Sequence, residues 1–170
     1  GAGRIVYQML VRINNSIEDG SFFSNEAYRK GVEHAVANGS YLHVMGLVQD
    51  QGVHAHTDHL LALMRLAKEA GLPADRFMVH VFTDGRDTLP RSAARYIKPV
   101  SEFMERERFG TIASLCGRYY SMDRDNRWDR VKRAYDMLTR GVSERPSFDS
   151  VYDALEDAYK EGELSLIHVS

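Results

Sequence analysis

The chain has 170 residues, 44% of them apolar and 27% charged, a composition that suits one globular domain burying roughly two-thirds of its unfolded surface. Its formal charge of -2 gives no overall attraction to nucleic acid, so an anionic ligand has to be drawn by locally gathered Arg and Lys. No apolar run approaches the roughly 20 residues of a membrane helix. The lone Cys116 cannot form an internal disulfide, and with no basic-then-apolar leader the chain is expected to be cytoplasmic and reduced, without a membrane partner.

From Arg4 to Asp19, Ile5, Met9, Ile13 and Ile17 recur every four residues and predict an amphipathic helix stopped by Gly20. Ser24 then reads as the N-cap of a second helix with Glu26 in its first turn, an apolar stripe through Ala27, Tyr28, Val32, Ala35 and Val36, and a stop at Gly39. Three units of one design follow. Tyr41 to Val48 reads as a strand buried on both faces, followed by a polar loop and a helix ending near Gly71. Phe77 to Thr83 is the second strand, followed by a loop and a helix from about Ser92 to Arg108 with a kink expected at Pro99. Thr111 to Cys116 is the third, followed by a polar loop and a helix through Val131, Ala134, Tyr135 and Leu138, closed by Gly141. A last helix spans Ser150 to Lys160, and the apolar tail Leu164 to Ser170 resembles the start of another strand. That tail, and an opening Gly1-Ala2-Gly3 without Met, suggest a piece interior to a longer polypeptide.

Strand, loop and helix in regular alternation predict an α/β fold: a mainly parallel or mixed sheet covered by helices on both faces, three layers in one domain over residues 1–170. Ligands of such sheets bind beyond the carboxyl ends of the strands, so the three strand-to-helix loops are where function is expected. They carry His54 in the first, Asp84-Gly85-Arg86-Asp87-Thr88 in the second, and Gly117-Arg118-Tyr119-Tyr120-Ser121-Met122-Asp123-Arg124-Asp125 in the third. Neighbouring loops would pool Arg86, Arg118 and Arg124, whose planar forks pair two-pronged with phosphate or carboxylate, beside an ionised Asp87 and a titratable His54. That set suits a small phosphorylated acid and offers acid-base chemistry as well as binding.

Taken alone, each signal has a plainer reading. Arg86 and Asp87 can pair with each other, and Arg127 and Arg130, among Asp123, Asp125 and Asp129, look like a solvated helix face. Tyr119, Tyr120 and Trp128 suit the core or a ligand wall, and His34, His43, His80 and His168 suit packing or surface. His54-x-His56-x-Asp58-His59 has the spacing of dinuclear zinc hydrolases, the alternative reading. Against it stand the strand-helix alternation and the arginines of the partner loops. Asp123-x-Asp125-Asn126 lacks the glycine a calcium loop requires.

Taken together, Gly1-Ala2-Gly3-Arg4, His43-x-Met45-Gly46-Leu47, Gly52-Val53-His54-x-His56, Asp84-Gly85-Arg86-Asp87-Thr88 and the run from Gly117 to Trp128 resemble the inserted domain of the cofactor-independent phosphoglycerate mutases, from Gly1 to about Glu163. The resemblance implies a two-domain isomerase of glycolysis that interconverts 3-phosphoglycerate and 2-phosphoglycerate through a phosphoserine. The serine and two divalent metal ions, manganese in particular, belong to a phosphatase-like domain of the same polypeptide that this chain lacks, so no metal is expected here and the fragment alone is expected to be inactive. By the same resemblance His54 and Arg86 contact substrate, Asp87 is the general acid-base, and Arg118 and Arg124 clamp the anionic groups.

Overall fold

A run rich in Val and aromatic residues, Phe77–Thr83, forms the central strand β2, with Phe77, Val79 and Val81 fully buried. The computed structural model describes Gly3, residues 7–162 and the backbone of His168–Val169. On one side β2 pairs in parallel with β1 (Leu42–Leu47), and on the other in parallel with β3 (Thr111–Gly117), across a register shift at Val79/His80. A short β4 (His168–Val169) runs antiparallel to β3, so the sheet is mixed with order β1-β2-β3-β4. The rest of the expected tail strand lies outside the described residues.

Helix α1 (Met9–Glu18) and a turn of 3₁₀ helix at Ser21–Ser24 lead into α2 (Glu26–Asn38). The cap of α2 is Asn25, not Ser24: its Oδ1 accepts the N–H groups of Ala27 and Tyr28 at 3.0 and 3.2 Å, while Ser24 closes the preceding 3₁₀ turn. Gly39 ends α2 with φ of 57°, the left-handed conformation that favours glycine. The crossovers β1-α3-β2, with α3 at Thr57–Glu69, and β2-α4-β3, with α4 at Ala93–Glu107, step across the sheet in one direction. Right-handed connections therefore lay both helices on the same face. Helix α4 runs unbroken past Pro99.

On that face α2, α3, α4 and α7 (Val151–Lys160) bury Val32, Met64, Ile97, Val100 and Leu155 against Phe77, Val79 and Val81. The opposite face carries a smaller cluster, in which Ala134 and Met137 of α6 (Trp128–Arg140) meet Cys116 and Phe82. Helices thus cover both faces, but unequally. Strand β1 departs from expectation for this reason. It is an edge strand whose Leu42 and Val44 pack on the larger core while His43 and Met45 are exposed on the other face. A chain of side chains crosses the sheet there, His43 Nδ1 to His80 Nε2 at 2.9 Å and His80 Nδ1 to Ser114 Oγ at 2.7 Å. Burial and then the neighbouring His43 lower the pKa of His80, which keeps it neutral. Cys116 is buried, as suits a small apolar side chain at the end of a core strand. Among the described residues no helix is long and apolar enough to cross a membrane.

Candidate functional site

The parallel strands β1, β2 and β3 end at one edge, so the loops that follow them are neighbours in space, and each is braced by its own backbone. In the first loop the Thr57 N–H reaches back to the Gln49 carbonyl at 2.9 Å, and His56 caps α3 by accepting the Asp58 N–H on Nδ1 at 3.2 Å. Gly52 holds φ of 71°, and a Cβ there would come within 2.5 Å of Leu10 Cδ2 on α1. Gly52→Ala is therefore expected to cost about 1–2 kcal/mol in urea denaturation, from the left-handed backbone and the displaced leucine, while loosening the loop that presents His54.

The second loop is organised by Asp84, whose side chain is 1% exposed. Its Oδ1 accepts the N–H groups of Gly85, Arg86 and Asp87 at 2.7, 2.9 and 3.1 Å, so one carboxylate folds the whole turn. From the third loop, Arg118 at the start of the one-turn α5 (Arg118–Ser121) donates through Nη1 to Asp84 Oδ1 at 3.0 Å and to Asp87 Oδ2 at 2.7 Å. His54 Nε2 lies 3.6 Å from the same Asp87 oxygen. One polar cluster, built on the largely buried Arg118 and Asp84, thus ties all three loops together. Burial by itself raises the pKa of Asp84, but the backbone donors of Arg86, Gly85 and Asp87 and the Arg118 guanidinium together carry it below the usual carboxylate value. Burial opposes the charge of Arg118 too, and is outweighed by its hydrogen bonds to Asp87 and Asp84, which raise its pKa.

A cleft of about 360 Å³ opens over this cluster, lined by His54, Arg86, Arg118, Arg124, Arg127 and Arg130 among others. It brings together four of the five residues picked out by sequence. The fifth, Asp87, is not on the lining but lies directly behind it, against His54 and Arg118. The side chains of Arg86 and Arg124 make no ion pair or hydrogen bond among the described residues, which leaves both forks for a ligand. Arg127 and Arg130 were expected on a solvated face. Instead, both face the cleft, because Asp123, 2% exposed, holds Arg127 through Oδ1 at 3.2 Å and draws Arg130 to 3.8 Å. The same Asp123 carboxylate accepts the backbone N–H of Arg127 at 2.9 Å and of Asp125 at 3.2 Å. Its pKa falls, chiefly through the Arg127 backbone donor.

The aromatic residues divide. Tyr119 lines the cleft and Tyr120 packs on the smaller core, while Trp128, the first residue of α6, precedes that helix's apolar stripe and is 70% exposed, contrary to the packing role expected of it.

The zinc-hydrolase arrangement does not form. His54, His56 and His59 border a second cavity, of about 260 Å³, but each turns one ring nitrogen to a separate partner. His54 turns to Asp87, His56 caps its helix, and His59 Nε2 sits 2.7 Å from Asn14 Oδ1. Burial, with some repulsion from His56, lowers the pKa of His59 against the pull of Asp58. Among the described residues no three His, Cys, Asp or Glu side chains are grouped to hold a metal ion.

Fold and site together define an α/β domain whose strand-end loops build an arginine-lined cleft. The chain belongs to the family described as BPG-independent PGAM N-terminus, whose model matches residues 13–165. Among its relatives, the 2,3-bisphosphoglycerate-independent phosphoglycerate mutase of Thermomicrobium roseum is 48% identical over 162 residues, covering 95% of this chain and 30% of the relative. The protein of that name from Cellvibrio japonicus is 47% identical over 163 residues, covering 96% and 31%. A crystal structure of Leishmania mexicana phosphoglycerate mutase, determined at low cobalt concentration, superposes with a TM-score of 0.86 at 28% identity, covering 99% of this chain and 32% of that one. The chain thus spans about 30% of the length of the curated relatives it matches.

Proposed function

We propose that this chain is the substrate-holding domain of a phosphoglycerate mutase that interconverts 3-phosphoglycerate and 2-phosphoglycerate in glycolysis and gluconeogenesis, a cytoplasmic isomerase that does not need 2,3-bisphosphoglycerate. The observation that carries the reading is the convergence of Arg86, Arg118 and Arg124 with His54 on one cleft, backed by Asp87. Guanidinium forks suit the phosphate and carboxylate of a phosphoglycerate, and two of them, Arg86 and Arg124, have no competing carboxylate among the described residues. Arg118 does more than bind, since its hydrogen bond to Asp87 Oδ2 also orients that carboxyl group.

In this reading the chain grips the glycerate by its anionic groups while the phosphoryl group is parked on a serine of the phosphatase-like part of the polypeptide. Asp87 gives a proton to the hydroxyl oxygen that loses the phosphoryl group and takes one from the hydroxyl that receives it, with His54 Nε2 3.6 Å from it. Two divalent cations, manganese in this reading, would stabilise charge on the transferring phosphoryl group from that same part. Among the described residues no set of side chains is grouped to hold them.

The test is titration of the 170-residue chain with 3-phosphoglycerate, followed by amide NMR shifts. Weak binding is expected, with shifts concentrated at residues 84–87, 118 and 124 and with affinity falling as salt rises. Saturating ligand with no shift in those loops would sink the proposal.

A further inference from the structure

We infer that Arg130 is a further ligand-contacting residue of the cleft, a prepositioned cation that receives an oxyanion of the bound phosphorylated acid; this deepens the reading of the same site and rests on it. Three observations carry it. Arg130 lines the cleft together with Arg86 and Arg124. Its guanidinium sits over Tyr119, with Cζ 3.6 Å from the ring centroid, the closest approach of any arginine to an aromatic ring found among the described residues. And its nearest carboxylate, Asp123 Oδ1, stands at 3.8 Å, beyond hydrogen-bond reach, so none of its guanidinium N–H groups has an acceptor among the described residues.

A planar cation at 23% exposure, stacked from one side and tethered at a distance from another, has lost most of its conformational freedom without spending its donors. Side chains of this length ordinarily lose rotamer entropy when they grip a ligand. Here the ring and the carboxylate have already restricted the fork, which lowers the cost of binding an anion. The neighbouring arginines behave differently. Arg127 is paired with both Asp123 and Asp125, and Arg133, stacked more loosely on Tyr120 at 5.4 Å, is paired with Glu144 at 3.1 Å and does not line the cleft. Of the arginines on this helix, Arg130 is the one both held in place and unspent.

The experiment measures the Kd of the chain for 3-phosphoglycerate by calorimetry, with thermal unfolding midpoints matched among the variants. Arg130→Gln is expected to weaken binding about tenfold or more, the size expected for a charge-assisted contact. Arg130→Lys should weaken it less, since an ammonium keeps the charge but not the fork. Arg133→Gln removes an equal charge outside the cleft and should leave Kd unchanged. A wild-type Kd in Arg130→Gln overturns the assignment, and so does an equal loss in Arg133→Gln, which would reveal bulk charge rather than contact. If the wild-type chain itself fails to bind 3-phosphoglycerate, the functional reading falls; if it binds and Arg130→Gln binds equally well, this inference alone falls.

Discussion

Replacing Arg118 with methionine is expected to cost the chain about 3 kcal/mol of stability, in the range measured for breaking a buried ion pair from one side, and to abolish detectable binding of 3-phosphoglycerate. The guanidinium is 12% exposed and its partner Asp84 only 1%, so removing the cation strands a carboxylate that water cannot reach. Asp87 keeps His54 at 3.6 Å but loses its 2.7 Å partner. For a chain of this size the loss corresponds to a fall of roughly 10 °C in the thermal midpoint. A double-mutant cycle with Asp87→Asn should return a coupling of at least about 1 kcal/mol; a vanishing coupling would mean that the two side chains touch without depending on each other.

Asp84→Ala should destabilise to a similar degree, about 3 kcal/mol, by a different route. The N–H groups of Gly85, Arg86 and Asp87 lose their shared acceptor, so the turn that aims Arg86 at the cleft loses its organiser. Asp84→Asn should cost less, because an amide oxygen still accepts those bonds. Acid reports on the same group. Its folded pKa is depressed below the unfolded value near 4, so its contribution is complete above that value and drains away as pH falls through the lowered folded pKa. Unfolding midpoints measured from pH 5 down to pH 2 should therefore drop more steeply for the native chain than for Asp84→Asn. Parallel curves would show that Asp84 does not contribute to acid sensitivity.

The alternation of strands and helices is readable because buried parallel strands leave long apolar runs and the helices between them keep a 3.6-residue period. Phe77–Thr83 has the bounds expected of it. The uncovered half of β1 is not readable, because edge position is a matter of topology rather than local composition. Asn25 and Ser24 are equally good caps on paper, and the 3₁₀ turn before α2 decides between them.

In the cleft, His54 and the cations Arg86, Arg118 and Arg124 are visible in the sequence on adjacent loops. Asp84 and Asp123 escape such a reading, although an Asp opening a Gly-containing turn commonly folds its own backbone. Arg127 and Arg130 are hidden by the charge run around them. Arg127 caps the start of α6 and Arg130 lies in its first turn, but which way the pair faces depends on the tether to Asp123.

The contacts that brace the three loops are all internal to the protein: a carboxylate-folded turn, a guanidinium bridging two loops, an arginine laid on a tyrosine. A ligand therefore meets a socket that is already set. Capture should be paced by diffusional encounter rather than by loop rearrangement, accelerating as ionic strength is lowered, while discrimination among anions shows up in how long each one stays.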